Sequence, residues 1–142
     1  MRQNVFPEGL AKRVVGGKLL YSPVVTYELG SHKLVFVSGL LARDAGGAIV
    51  GVDDMAAQIR QVGLNLEAAL AAAGAGVQDL VRTATYVTKI DEFFRHVDVR
   101  HEFLGESLPT STTIEVSRLS HADFMVEIEA MAIVPTTAEA AY

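Results

Sequence analysis

Residues 55–74 read MAAQIRQVGLNLEAALAAAG, and residues 80–88 read LVRTATYVT. The first stretch places Met55, Ile59, Val62, Leu66 and Leu70 at steps of four, three, four and four, which is one face of an α-helix. Gln58, Arg60, Gln61 and Glu67 fall off that stripe. Asp53 or Asp54 offers a carboxylate to the free amides of the first turn, and Gly74 suits the position just past the last. The second stretch changes period. Val81, Thr83, Thr85 and Val87 alternate with Arg82, Ala84, Tyr86 and Thr88, which predicts a strand.

Working outward toward the N-terminus, Val24–Leu29 and Lys33–Val37 read as two strands joined across Gly30-Ser31-His32. Ser38-Gly39 closes the second. Arg43 to Gly47 reads as a flexible loop and Ala48–Val50 as a short strand, while residues 1–17 read as an irregular arm punctuated by Pro7, Gly9 and Gly16-Gly17. Toward the C-terminus, a second helix runs from Asp91 to about Glu106, closed by Gly105 and Pro109. Strands over Ser111–Arg118 and Phe124–Val134 follow, joined by 119–123, with Pro135 as the stop and residues 136–142 as a polar tail. No repeat or linker divides the chain. The pattern predicts a single α+β domain over residues 1–142, with two helices packed on one face of a β-sheet.

Composition narrows the function classes. The chain has 142 residues, 50% of them hydrophobic and 20% charged, a net charge of −5 and no cysteine. That is enough apolar material for one core, and it excludes a disordered polyelectrolyte. Without cysteine there is no disulfide framework, thiolate metal site or thiol nucleophile. The net charge gives no general attraction to phosphate backbones, so no nucleic-acid partner is expected. The N-terminal stretch lacks an unbroken apolar leader segment. The longest apolar run, Leu64–Gly76, is interrupted by Asn65 and Glu67 and is too short to span a bilayer. A soluble, cytoplasmic protein with no membrane partner is the expectation. His96 and His101 are five apart, His32 sits in a turn and His121 in a loop, so no metal site is expected. Phosphate loop, dinucleotide fingerprint and serine elbow are all missing, and no cofactor is expected. The surplus of apolar residues on so small a domain points to burial between subunits.

The last strand carries the most chemistry. Phe124, Val126, Ile128, Ala130, Ala132 and Val134 make one uninterrupted apolar face; the other reads Met125, Glu127, Glu129, Met131, Ile133. Two carboxylates flanked by methionine and isoleucine suit a face covered by another subunit. A solvated sheet face carrying ion pairs fits the same pattern. In the preceding strand, Ser111 and Thr113 line one face and offer hydroxyls where the chain leaves Pro109; a plain β-favouring sequence reads identically.

Phe36-Val37-Ser38-Gly39, the helix from Gln58 to Asn65, Asp79 to Val87, Pro109, Ile114-Glu115-Val116, Arg118-Leu119 and Val126 to Ala132 occur in unbroken order. Together they resemble the RidA-type (YjgF-type) reactive-intermediate deaminases over roughly residues 20–134. The resemblance implies a chorismate-mutase-like fold assembled as a homotrimer, with clefts between subunits. It implies hydrolysis of small enamines or imines to a keto compound and ammonia, without metal or organic cofactor. It assigns Glu127 as the catalytic group, with Ser38, Thr113 and Tyr21 binding substrate. The family's carboxylate-clamping arginine falls at Ser111, and a common helix asparagine falls at Val97.

A guanidinium makes two charge-assisted bonds to a carboxylate, where Ser111 offers one neutral bond. The substrate therefore either lacks that carboxylate or is held elsewhere. Arg43 is the preferred replacement, ahead of Arg100 and Arg118. Two functions are expected from this pattern: a cofactor-independent deaminase with Glu127 as general base, or a non-catalytic trimer that binds a small metabolite or serves a partner enzyme.

Overall fold

The computed structural model describes residues 1–136; of the sequence-defined tail, residues 137–142 lie outside the described residues. Its centre is a six-stranded sheet in the order β1-β4-β5-β8-β6-β7. These strands are β1 (Arg2–Val5), β4 (Val24–Leu29), β5 (His32–Leu40), β6 (Leu80–Val87), β7 (Thr110–Glu115) and β8 (Val126–Pro135). The two-residue strands β2 (Val14–Val15) and β3 (Lys18–Leu19) form a separate hairpin. All pairings are antiparallel except β6–β7. A parallel pair needs a crossover, and the helices between β6 and β7 supply it.

Helix α1 (Met55–Ala72) is the element the sequence defines best. Asp54 caps it, accepting from the Ala57 amide at 3.0 Å. Met55, Ile59, Val62, Leu66 and Leu70 are all buried against the sheet. The helix closes with Gly74 N–H donating to Ala71 O and Ala75 N–H to Leu70 O, the paired bonds of a Schellman end.

Five expectations need correction. The second helix is two, α2 (Ile90–Arg95) and α3 (Val97–Leu104), so three α-helices accompany the sheet. Buried Phe93 and Val99 are six residues apart and would stand 120° apart on a straight helix; the break at His96 lets both enter the core. The N-terminal arm is not irregular throughout: Arg2–Val5 pairs with β4, and Gly16-Gly17 turns the small β2–β3 hairpin with positive φ at both residues. Ser38-Gly39 does not end β5 but forms a bulge within it, where the register with β8 shifts between Val37 and Leu40. Finally, β7 stops at Glu115 rather than Arg118, and Ala48–Val50 contributes a single bridge, Arg43 to Ile49.

The core lies between α1 and one sheet face, where Val35, Val37, Val126, Ile128 and Ala132 are buried. The alternation expected for the last strand holds from Val126 on: Val126, Ile128, Ala130, Ala132 and Val134 are buried, whereas Glu127, Glu129 and Met131 are half-buried and Ile133 is exposed; Met125, expected on the second face, precedes β8 and is buried in the core. Among the described residues, the opposite sheet face carries no helix. It presents Tyr27, Leu29, Phe36 and Ile133, all more than a third exposed. Among the described residues, no helix is long and apolar enough to cross a membrane.

Candidate functional site

The bulge in β5 makes room for a carboxylate. A Cβ on Gly39 would sit 2.7 Å from Glu127 Oε1, so the absence of a side chain at 39 is what lets Glu127 fold over β5. Burial, then repulsion from Glu129, raises the Glu127 pKa above the ordinary carboxylate value. Glu129 accepts a 2.5 Å bond from the Tyr86 hydroxyl, and that bond, foremost, raises the tyrosine pKa. The two carboxylates therefore differ in partners, Glu129 being held by a phenol while Glu127 borders an open cleft.

That cleft, of about 580 Å³, is lined by Tyr21, Ser38, Arg43 and Glu127 together. Its outer wall comes from the arm, including Val14 and Leu20, and from Gly46-Gly47. The Ser38 hydroxyl is buried at its edge without a hydrogen-bond partner. A buried hydroxyl with unmet bonding capacity is costly unless something binds it.

Two buried amides of α1 position this cleft, and helical periodicity did not single them out. Gln58 Nε2 donates to Gly51 O at 3.1 Å and Asp123 O at 2.7 Å, and its Oε1 accepts from Met125 N at 2.8 Å. It thereby ties α1 to the start of β8, two residues before Glu127. Asn65 Nδ2 donates to Leu41 O at 3.0 Å and Arg43 O at 2.9 Å. Asp44 Oδ1 also accepts from Gly46 N and Ala48 N. The loop expected to be flexible is thus bonded down, and the Arg43 guanidinium is engaged twice: Nη1 donates to Gly47 O, and Cζ stands 4.8 Å from the Phe124 ring centre.

Ser111 and Thr113 lie elsewhere. With Val97 and Arg100 they line a second cleft, of about 170 Å³, between α3 and β7, which shares no lining residue with the first. Arg118 lines neither; its Nε donates to Leu119 O. Within one chain, then, the expected site residues fall into two groups. Among the described residues, no three histidine or acidic side chains converge as a metal site would require.

The match to the family model described as Endoribonuclease L-PSP spans residues 18–134. The chain belongs to this L-PSP family, which contains the YjgF, RidA and RutC proteins. It is 35% identical over 134 residues to a RutC family protein of Pyrococcus horikoshii, covering 93% of this chain and 98% of that one. It is 34% identical over 109 residues to the 2-iminobutanoate/2-iminopropanoate deaminase of Salmonella typhimurium, covering 75% of this chain and 82% of the relative. The crystal structure of RidA from an Antarctic Psychrobacter species superposes with a TM-score of 0.77 at 26% identity, covering 93% and 99% of the two chains. The resemblance seen in the ordered motifs is therefore a family membership. L-PSP proteins share this mixed α+β domain, and the family includes imine deaminases.

Proposed function

We propose that this L-PSP protein is a hydrolytic deaminase of a small enamine or imine, working without cofactor in clefts between the subunits of a homotrimer. The observation that carries this reading is Glu127: a carboxylate with a raised pKa at the edge of a cleft, beside the unpartnered Ser38 hydroxyl. The helix-free sheet face, with Tyr27, Leu29, Phe36 and Ile133 exposed, supports an interface between copies. The division of site residues between two clefts supports the same arrangement, because each cleft would be completed by a neighbour.

In this mechanism an enamine first takes a proton at carbon and becomes the iminium ion. The Glu127 carboxylate then removes a proton from water as the oxygen adds to the C=N carbon, forming a neutral carbinolamine. The proton held on Glu127 passes to nitrogen, the C–N bond breaks to release ammonia, and the carbinolamine O–H proton goes to the Glu127 carboxylate as the C=O bond forms, from where it is lost to solvent. Iminium ion plus water thus gives ketone, ammonia and a proton. A carboxyl group with a raised pKa is suited to these transfers near neutrality.

Ser111, in the position of the family's clamping arginine, favours a second reading: a non-catalytic trimer that binds a metabolite. The family's ribonuclease description is the weaker guide, since the chain is net −5 and Glu127 lies at the cleft. The deciding assay follows ammonia release from imines and enamines generated in solution, with wild type and Glu127→Gln side by side. Wild-type acceleration that the variant loses supports the deaminase. No acceleration with any substrate, together with retained ligand binding, establishes the second reading.

A further inference from the structure

The cleft between α3 and β7 contains a cation that no acidic side chain neutralises among the described residues. Arg100, on α3, is half-buried, and burial lowers its pKa. Among the described residues it makes no ion pair. Its Nη2 donates to Ser111 Oγ at 3.3 Å and Thr83 Oγ1 at 3.5 Å, long bonds to neutral acceptors. A guanidinium has five N–H groups in a fixed fork, so Nη1 and Nε retain theirs for another acceptor.

The surroundings point to what that acceptor is. The cleft is lined by Arg100 and His101 and by no acidic side chain, although the chain carries 17 acidic residues against 12 lysines and arginines. Ser111, while accepting from Arg100, keeps its own O–H to donate outward. Apolar Leu108 and Pro109 complete the wall. Leu108 is 82% exposed and holds φ at +45°, an uncommon conformation for leucine, at the mouth of the cleft. A half-desolvated guanidinium, a free hydroxyl donor and an apolar rim together fit the carboxylate end of a small organic acid.

We propose that Arg100, seconded by Ser111, is the carboxylate clamp of this protein. The position expected to bear an arginine on β7 is served instead by an arginine reaching across from α3, with Ser111 holding it in place. Arg43 faces the Glu127 cleft and is already bonded to Gly47 and stacked on Phe124, so it is the poorer clamp. This inference rests on the deaminase reading for its substrate class, a 2-imino acid rather than an uncharged imine. It needs no turnover to be tested.

The test is direct binding of 2-oxobutanoate and of its carboxamide, by calorimetry, to wild type, Arg100→Ala, Arg100→Lys and the double variant Arg100→Ala/Ser111→Arg. Wild type is expected to prefer the carboxylate. Arg100→Ala should weaken the acid at least about tenfold and leave the amide unchanged, with Arg100→Lys intermediate because a point charge replaces the fork. The double variant should recover much of the loss, which a merely structural role for Arg100 would not allow. Equal binding of acid and amide by wild type, no binding of either, or undiminished acid binding by Arg100→Ala would each overturn the clamp. Acid binding that depends on Arg100 without ammonia release from the corresponding imine would sink the deaminase reading and leave the clamp standing.

Discussion

Glu127 lies over Gly39 so closely that a methyl group on that glycine would stand 2.7 Å from its carboxylate oxygen. Gly39 does not have a positive φ, so alanine there is not strained by backbone conformation. The nearest obstacles are atoms of the Glu127 side chain, whose flexible end must move. Gly39→Ala should therefore lower kcat by about tenfold or more, since misplacement near 1 Å is costly to a reacting group. The melting temperature should stay within a few degrees of wild type. Full activity in the variant would show that the position of this carboxylate does not matter.

Glu127→Gln tests the same group chemically. Loss of a general base typically costs about 10²–10⁴-fold in rate. A stability effect accompanies it. Because the folded protein raises the Glu127 pKa, it binds that proton more tightly than the unfolded chain does. Stability from this group is greatest below the ordinary carboxylate pKa and declines as pH rises through the folded value. The neutral glutamine has no such decline. Melting curves from pH 4 to 7.5 should show the variant gaining on wild type as pH rises, and parallel curves would refute the raised pKa.

Repulsion from Glu129 is the second cause of that raised value. Removing the charge should lower it. In Glu129→Gln the acid limb of the kcat/KM profile, where the base becomes ionised, should move to lower pH than in wild type. An unmoved or upward-shifted limb would mean that the two carboxylates do not interact in the free enzyme.

Periodicity shows which residues face the core, and it identified the α1 stripe and both faces of β8 correctly. It is blind to polar side chains that enter the core to bond backbone, and so it set Gln58 aside although that residue is fully buried. The bulge at Ser38-Gly39 was visible as a break but not as a bulge, because a glycine within a strand also reads as its end. The valine pair before Gly16-Gly17 was a hairpin signal that the surrounding prolines and glycines obscured. Glu127 was legible as half of an i, i+2 carboxylate pair on an otherwise apolar face. Arg100 was ranked behind Arg43 as a replacement for the arginine missing at Ser111, since nothing in the spacing of residues 100 and 111 reveals that a break at His96 sets α3 over β7.

Gln58 gives a prediction about stability. Its fully buried side chain serves Met125 N, Gly51 O and Asp123 O at once, the Met125 bond buried and the other two part-buried. Gln58→Ala orphans all three, and a buried group left without a partner costs about 1–3 kcal/mol. Urea denaturation should show a midpoint lowered by at least one such increment, at similar slope. A midpoint unchanged from wild type would mean that water replaces the amide freely.

Phe36 tests the proposed assembly. It stands on the helix-free sheet face, paired in register with Val25 on β4 and Met131 on β8, and it is 40% exposed in the isolated chain. In a single chain, aspartate at that position remains in contact with water and costs little. At an interface the same charge is desolvated among apolar side chains, which is costly without a partner. Phe36→Asp should therefore leave the circular dichroism spectrum intact while sedimentation shifts from three chains to one. Under the proposed trimeric mechanism, activity should be lost in the same step, because Glu127 and Arg100 line different clefts of one chain and would face each other only across subunits. A wild-type protein that sediments as a monomer, or a Phe36→Asp monomer that retains full turnover, would remove the shared cleft from the mechanism.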